Sequence, residues 1–179
     1  MKPVAVIPMN DPNGLLFPHL EAITPALKDL FAQVFVSVPI KTQKALPKYM
    51  EWLESDNFYH VFFHDKDVSI CDDFLTLYAH AVAASEPNQV LHLCFIDRVA
   101  FALKSEYRAD FVADIQDIRG EQLPLIFCRS VKAWQTHPSN YRELEYMVTR
   151  VGKMLFGKSL DFAWCHIAIQ ANQLQKVVA

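Results

Sequence analysis

The sequence predicts a single α/β domain of three layers (α/β/α), with a mostly parallel, doubly wound sheet between two layers of helices. Several apolar runs, such as 33–38 and 59–63, are too short for helices and are typical of buried strands. Segments with apolar residues at helical spacing separate these runs, and single-helix crossovers make neighbouring strands parallel. The 179 residues, 52% of them hydrophobic, suffice for one substantial core, so we expect one domain over 1–179.

The N-terminal part alternates between predicted strands and helices. The Asn-Asp-Pro-Asn-Gly turn at 10–14 ends the first strand, and Pro25 is expected to kink or divide the helix that follows. In chain order, the predicted elements are strand 3–8, a helix from Leu16, strand 33–38, a proline-bearing connection at 39–47, a short helix around 49–53 and strand 59–63.

The same alternation continues in the C-terminal part. Asp72 or Asp73 is expected to cap a helix that Pro87 stops before strand 90–96, and Asp97 follows that strand. A helix around 107–118, with a solvated acidic face, leads to strand 123–128. The last predicted helix begins near Asn140, ends at Gly157 and turns these apolar residues inward: Leu144, Met147, Val148, Val151 and Leu155.

Composition and charge indicate which kinds of partner and which cellular compartment to expect. A net charge of −3 and a pI near 6.1 give no electrostatic reason to expect a nucleic-acid partner. No apolar run approaches the roughly 18 residues needed to cross a bilayer, and no leader-like segment opens the chain. Widely spaced cysteines without a C-x-x-C pair favour reduced thiols. We therefore expect a cytoplasmic protein without a membrane span.

Common nucleotide and hydrolase motifs are missing from the sequence. The chain has four glycines, at 14, 120, 152 and 157, and their spacing permits neither a dinucleotide-binding G-x-G-x-x-G loop nor a P-loop. There is also no G-x-S-x-G nucleophile elbow, which disfavours a serine hydrolase of the α/β type.

Acidic and amide side chains follow the predicted strands and form the candidate site. Asn10 and Asp11 come directly after the first strand, where they could bind a nucleotide or simply stabilise a turn. Asp65 and Asp67 form a D-x-D pattern after the third strand, which could hold a hard cation through oxygen or belong to a solvated loop.

Asp97 is the strongest single candidate. A carboxylate that follows so apolar a strand is costly to leave unpaired, so it should meet a metal ion, Arg98, Arg129 or a backbone amide. A ligand or metal role and a structural ion pair are both open for it. His92 and His166 are expected to be partly buried and hydrogen-bonded rather than metal ligands.

Four segments carry a resemblance to a known family. They are Ile7-Pro8-Met9-Asn10-Asp11, the apolar strand that ends at Asp97, Phe127-Cys128-Arg129-Ser130, and Leu155-Phe156-Gly157 with Asp161 just beyond. In this order the chain resembles the nucleotide-diphospho-sugar transferase fold of the A-type glycosyltransferases, and within it the small inverting enzymes like dolichol-phosphate-mannose synthase.

The resemblance implies a glycosyltransferase-like protein that binds a nucleotide-sugar with a divalent cation, Mg²⁺ or Mn²⁺, and transfers the sugar to an acceptor. Asp161 would be the base that deprotonates the acceptor hydroxyl. The implied metal ligand is Asp97, with Asp65 or Asp67 in support. The implied nucleotide-sugar contacts are Pro8, Asn10, Asp11, Arg98 and Arg129.

The chain departs from that family pattern at three places. The second strand ends at Val38-Pro39 without an acid, and Phe95 stands where the first acid of Asp-x-Asp is expected. The acceptor elements are incomplete, which implies a protein partner or a second copy. These departures leave open a non-catalytic nucleotide-binding or protein-interaction module on the same fold, and more remotely a magnesium-dependent hydrolase that uses Asp65 or Asp97.

Overall fold

A six-stranded mixed sheet forms the centre of the protein. The computed structural model describes residues 2–64, 68–118, 120–164 and 166–179. The strand order is β3-β2-β1-β4-β6-β5; β1 to β4 run parallel, and β6 is antiparallel to both of its neighbours. The strands are β1 Val4–Pro8, β2 Val34–Val38, β3 Tyr59–Phe63, β4 Val90–Leu93, β5 Leu125–Ile126 and β6 Ile167–Gln170.

Helices cover both faces of this sheet. Among the described residues they are α1 Phe17–Leu30, α2 Ile40–Ala45, α3 Pro47–Ser55, α4 Ile70–Ala83, α5 Ile96–Lys104, α6 Arg108–Gln116, α7 Val131–Gln135, α8 Ser139–Phe156 and α9 Ala171–Val178, with a 3-10 turn at Gly120–Gln122. None of them combines the length and the apolar character needed to cross a bilayer.

The central strand β1 is buried on both sides, as expected for an inner parallel strand. Ala5 and Ile7 belong to a core shared with α1, α3, α5 and α6. Val4 and Val6 point to the opposite face and pack in a second core with α4 and α9. The α/β class is therefore confirmed, and helices on both faces are compatible with the predicted three layers.

Two predictions about helices need correction: the kink or break expected at Pro25, and the residue that caps α4. Pro25 lies within α1, which is continuous, because Pro25 and Glu21 are both exposed and the carbonyl that loses its donor faces solvent. The cap of α4 is Ser69 rather than an aspartate, since its hydroxyl accepts the amide of Asp72 at 3.2 Å. Asp72 and Asp73 lie in the first turn, where their negative charge interacts favourably with the helix dipole.

The largest local difference lies after β4. The strand ends at Leu93, and α5 begins at Ile96, so residues predicted as strand and connection form a helix. The buried residues Val99, Ala100 and Leu103 recur at helical spacing from Ile96 and explain this change. Asp97 consequently lies in the first turn of a helix rather than at a strand end.

The topology brings several chain segments to one edge of the sheet. The carboxyl ends of β1 to β5 point toward this edge, where β6 begins, because β6 alone runs in the opposite direction. β1 is followed along the chain by β2 on one side, whereas β4 pairs on its other side. Open α/β sheets bind ligands in the crevice at such a switch point.

Candidate functional site

Asp97 borders an open groove beside the β1/β4 switch point. Its side chain is exposed, and among the described residues it makes no ion pair or hydrogen bond. The free-energy cost of a buried, unpaired carboxylate does not apply to Asp97, because its side chain in the first turn of α5 points toward solvent. The groove holds about 490 Å³ and is lined by Leu15, Leu16, His19, Asp97, Ala100, Phe101, Lys104 and Ser105.

The same groove carries a basic end. Lys104 Nζ lies 3.1 Å from His19 Nδ1, and both residues are exposed. Asp97 and Lys104 are two helical turns apart on α5. The groove thus presents one carboxylate and one ammonium group along a single helix, an arrangement that suits an anion bound together with a cation.

Phe95 lies just before α5, where the family pattern expects an acid, and its ring packs against neighbouring side chains. Its half-buried ring lies 5.6 Å from the ring of Phe74, and the Arg98 guanidinium lies 5.2 Å from its centroid. An aromatic ring offers a cation no oxygen ligand, so Asp97 is the single acid of this motif. Asp65 and Asp67, the other predicted metal ligands, lie outside the described residues.

Asp11 organises the loop that follows β1. Its carboxylate accepts the backbone amides of Leu15 and Leu16 at 2.7 Å each and of Phe17 at 3.0 Å, and only 4% of the residue is exposed. Its own amide donates to Thr42 Oγ1 at 3.0 Å, which ties the loop to α2. Asp11 therefore occupies the amino end of α1, the place where a helix could otherwise bind a phosphate. A nucleotide contact through its carboxylate stays a prediction.

Asp11→Ala should lower the free energy of unfolding by about 1–3 kcal/mol, because three amides lose their acceptor. Chemical denaturation measures this change. Asn10→Ala is the matched control in the same loop: Asn10 is exposed, and the change should stay within about 0.5 kcal/mol. Equal effects of the two substitutions would contradict the anchoring role of Asp11. Pro8, the other predicted contact here, is half-buried at the end of β1.

A second cluster joins three predicted site residues beyond β5. Arg129 Nε and Nη2 donate to the two oxygens of Asp161 at 2.7 and 2.8 Å, and Nη1 donates to Glu145 at 2.8 Å. Arg98 lies 3.6 Å from Glu145 and donates to the carbonyls of Ala163 and Trp164. The three predicted residues Arg98, Arg129 and Asp161 are thus brought together, but as partners of one another and of Glu145.

This cluster is almost closed to solvent. The Arg129 side chain is 2% exposed and that of Asp161 is 9% exposed. Burial alone would lower the pKa of the Arg129 guanidinium, but its hydrogen bonds to Asp161 and Glu145 raise the pKa above the ordinary value. Arg129 also lies 4.2 Å from the ring centroid of Trp134 and 4.9 Å from that of Trp164. In this arrangement the Arg129 guanidinium and both carboxylate oxygens of Asp161 are engaged in hydrogen bonds within the cluster.

A smaller pocket of about 190 Å³ adjoins the cluster. Asp110 and Asp114 of α6 form its acidic side, and burial together with the neighbouring acids raises the pKa of Asp114. Phe101 borders both this pocket and the Asp97 groove. The remaining lining residues are Ala102, Tyr107, Phe111, Phe127, Cys128, Arg129, Ser130, Ala133, Trp164 and His166.

Two histidines lie beneath this pocket with less hydrogen bonding than predicted. His92 is fully buried, and neither ring nitrogen has a partner among the described residues; the same holds for His166 Nε2. The two rings are 5.4 Å apart, and His92 also stacks on Phe127 at 5.1 Å. Burial lowers the pKa of His92 to about 3, and burial lowers that of His166 as well. Both are therefore neutral at pH 7.

Glu145 is the main site residue that sequence reasoning missed. It lies on α8 among apolar residues that were expected to face the core, and nothing in the local pattern distinguishes it. Its role follows only from the position of Arg129, sixteen residues earlier. Within the described ranges, no three His, Cys, Asp or Glu side chains group as a metal site.

Comparison with known proteins does not assign a family. No family model matches the chain, and no curated protein matches it significantly. The resemblance to nucleotide-diphospho-sugar transferases therefore stays a prediction from the motifs.

Proposed function

We propose that the domain binds a nucleoside diphosphate or nucleotide-sugar together with a divalent cation at the edge where β1 and β4 end. The observation that carries this proposal is the exposed Asp97 carboxylate, which has no partner among the described residues and borders a groove at the switch point. The order of motifs that resembles the nucleotide-diphospho-sugar transferases gives independent support.

Asp97 fits a cation that a diphosphate helps to hold. Magnesium in nucleotide sites is usually bound by one or two protein carboxylates, while phosphate oxygens and water supply the other ligands. A bound cation would neutralise charge on the diphosphate. Lys104 lies along the same groove and would meet a phosphate oxygen, and the exposed Asn10 begins the loop that forms the opposite wall.

The geometry favours binding without transfer. Sugar transfer needs a base at the acceptor, and the predicted base Asp161 has both oxygens bonded to Arg129. The Arg129 guanidinium likewise donates its hydrogen bonds to Asp161 and Glu145. We therefore infer a non-catalytic nucleotide-binding module of the transferase type.

Sugar transfer is the second candidate, favoured by the smaller pocket. It shares Phe101 with the Asp97 groove, and Ser130 lines it, so a sugar attached to a nucleotide in the groove would have an adjoining space. Release of nucleoside diphosphate from nucleotide-sugars, followed by chromatography, distinguishes the candidates. Turnover that Asp161→Asn abolishes, while circular dichroism and nucleotide binding stay unchanged, would support a base at Asp161 for transfer of the sugar to an acceptor or to water. No turnover with intact binding would support the module.

Thermal shift with UDP, GDP, CDP and ADP, each with and without Mn²⁺, tests the binding proposal. At 100-fold excess over Kd, one nucleotide should stabilise the protein by about 2.7 kcal/mol with metal present. That corresponds to a rise in Tm of about 5–10 °C for a domain of this size.

Asp97→Asn should remove the metal-dependent part of this rise. Asp72→Asn is the matched control, because Asp72 is also an exposed acid in the first turn of a helix. A full shift in Asp97→Asn, or no shift with any nucleotide, would refute the proposed site. A metal-independent shift would keep nucleotide binding and reject the cation.

A further inference from the structure

Helix α8 does not turn its predicted apolar side toward the protein core. Glu145 and Gly152 are its buried residues, whereas the apolar residues expected to face the core are exposed. The orientation has two causes: Glu145 pairs with buried Arg129, and the backbone at Gly152 lies so close to Phe162 that an added Cβ would stand 2.3 Å from the ring. The polar contact thus sets the helix phase, and the apolar side is left outside.

The exposed side is large and continuous. Seven apolar residues there are 42% to 78% exposed, and at 100° per residue they span an arc of about 140°. Scattered apolar residues are ordinary on a surface, but a contiguous patch of this kind marks an interaction site. We call it the α8 apolar face; its residues are Tyr141, Leu144, Met147, Val148, Val151, Met154 and Leu155.

Exposed basic residues lie on the same helix as this apolar face. Arg150, Lys153 and Lys158 are exposed on or just beyond α8, where Glu143 is also exposed. With Arg142, Arg150 and Lys153 against Glu143 and Glu145, α8 carries a net charge of +1, whereas the whole chain carries −3. At 100° per residue, Arg150 and Lys153 lie on the side of α8 away from the apolar face. A wide apolar face with basic residues on the other, polar side is the pattern of helices that lie in a membrane interface.

We propose that α8 docks on an anionic lipid surface. Its apolar face would enter the boundary between headgroups and acyl chains, with the helix axis in the membrane plane. Arg150, Lys153 and Lys158 would contact lipid phosphates, whose negative charge complements theirs.

The same observations disfavour a second copy of the chain on this face. A symmetric dimer would bring together two helices of the same net positive charge. A two-stranded helical seam also uses a narrow a/d stripe, which residues 144, 148, 151 and 155 alone would supply. The additional exposure of Met147 and Met154 widens the face beyond such a seam and suits a planar apolar layer.

Vesicle flotation of the full chain tests this proposal. Phosphatidylcholine vesicles are compared with vesicles that also contain phosphatidylglycerol. Wild type should float with the anionic vesicles and dissociate as salt is raised. Met147→Glu/Met154→Glu should reduce binding about tenfold or more, because both side chains would enter the lipid. Arg150→Glu/Lys153→Glu should reduce the preference for anionic vesicles by about tenfold or more.

Ile70→Glu/Val177→Glu is the matched control, since both residues are exposed and apolar but lie on other helices. It should float like wild type, and circular dichroism checks that every variant is folded. Absence of flotation by wild type, or equal flotation by Met147→Glu/Met154→Glu, would overturn the proposal. A dimer in light scattering that this variant abolishes, without vesicle binding, would assign the face to a second copy instead.

Discussion

Arg129→Met is expected to lower the free energy of unfolding by about 3–5 kcal/mol, because it leaves the nearly buried Asp161 without its cation and removes the nearer of the two arginines at Glu145. Asp161 loses a bidentate partner at 2.7 and 2.8 Å, and Glu145 loses its closest charge contact at 2.8 Å. Methionine keeps part of the packing against Trp134 and Trp164, so the loss reports mainly on charge. Urea denaturation at pH 7 measures the change.

Lys132→Met is the matched control for Arg129→Met. Lys132 pairs with Glu106 at 2.8 Å, but both side chains are well exposed, so solvent screens the pair and its loss should change stability little. Arg129→Met/Asp161→Asn should be less destabilising than the two single changes added together, since each removes a charge that the other leaves unpaired. A loss below about 1 kcal/mol for Arg129→Met would mean that the cluster is hydrated and open, contrary to the structure.

Acid should destabilise the protein through His92. Its pKa is lowered to about 3 by burial, whereas an unfolded histidine titrates near 6.5. Below pH 6.5 the unfolded chain therefore binds a proton that the folded protein does not, so stability falls as pH falls toward 3. The contribution of this one residue approaches about 1.4 kcal/mol per pH unit between pH 6 and pH 4.

His92→Leu isolates this contribution from the carboxylates that titrate in the same range. The variant fills the same apolar site, next to Phe31 and Phe127, with no group to protonate. Its unfolding free energy should therefore fall less steeply below pH 6 than that of wild type. His60→Gln is the control, because it also removes a histidine, but one that is exposed on β3, so the comparison isolates the effect of burial. The same pH slope in His92→Leu and wild type would contradict burial of a neutral imidazole.

The first half of the sheet was predictable because local signals agree there. The strands β1, β2 and β3 are short apolar runs bounded by turn residues, and β3 begins and ends at the predicted residues. Beyond β4 two patterns overlap: apolar residues 90–96 are consistent with a strand, while Ile96 also starts the helical spacing of α5. Short apolar runs of this kind do not reveal from periodicity alone where a strand ends.

The candidate site was predictable by residue but not by contact. Arg98, Arg129 and Asp161 were named and do meet at one edge, yet the Arg129–Asp161 pair joins residues 32 positions apart. Glu145 is not predicted from the sequence, because an apolar stripe on a helix of a globular domain usually faces the core. A buried guanidinium overrides that rule, since an unpaired charge costs more than exposed apolar surface.

Isothermal titration measures whether Asp97 holds the cation of a bound nucleotide. The nucleotide that gives the largest thermal shift is titrated, with Mn²⁺ present and absent, into wild type, Asp97→Asn and Asp72→Asn. Wild type should show one saturable site. In Asp97→Asn the Kd should rise about tenfold or more, which corresponds to about 1.4 kcal/mol, and the metal dependence should be lost. The Asp72→Asn protein should bind like wild type. An unchanged Kd and metal dependence in Asp97→Asn would contradict the claim that this carboxylate holds the cation of a bound diphosphate.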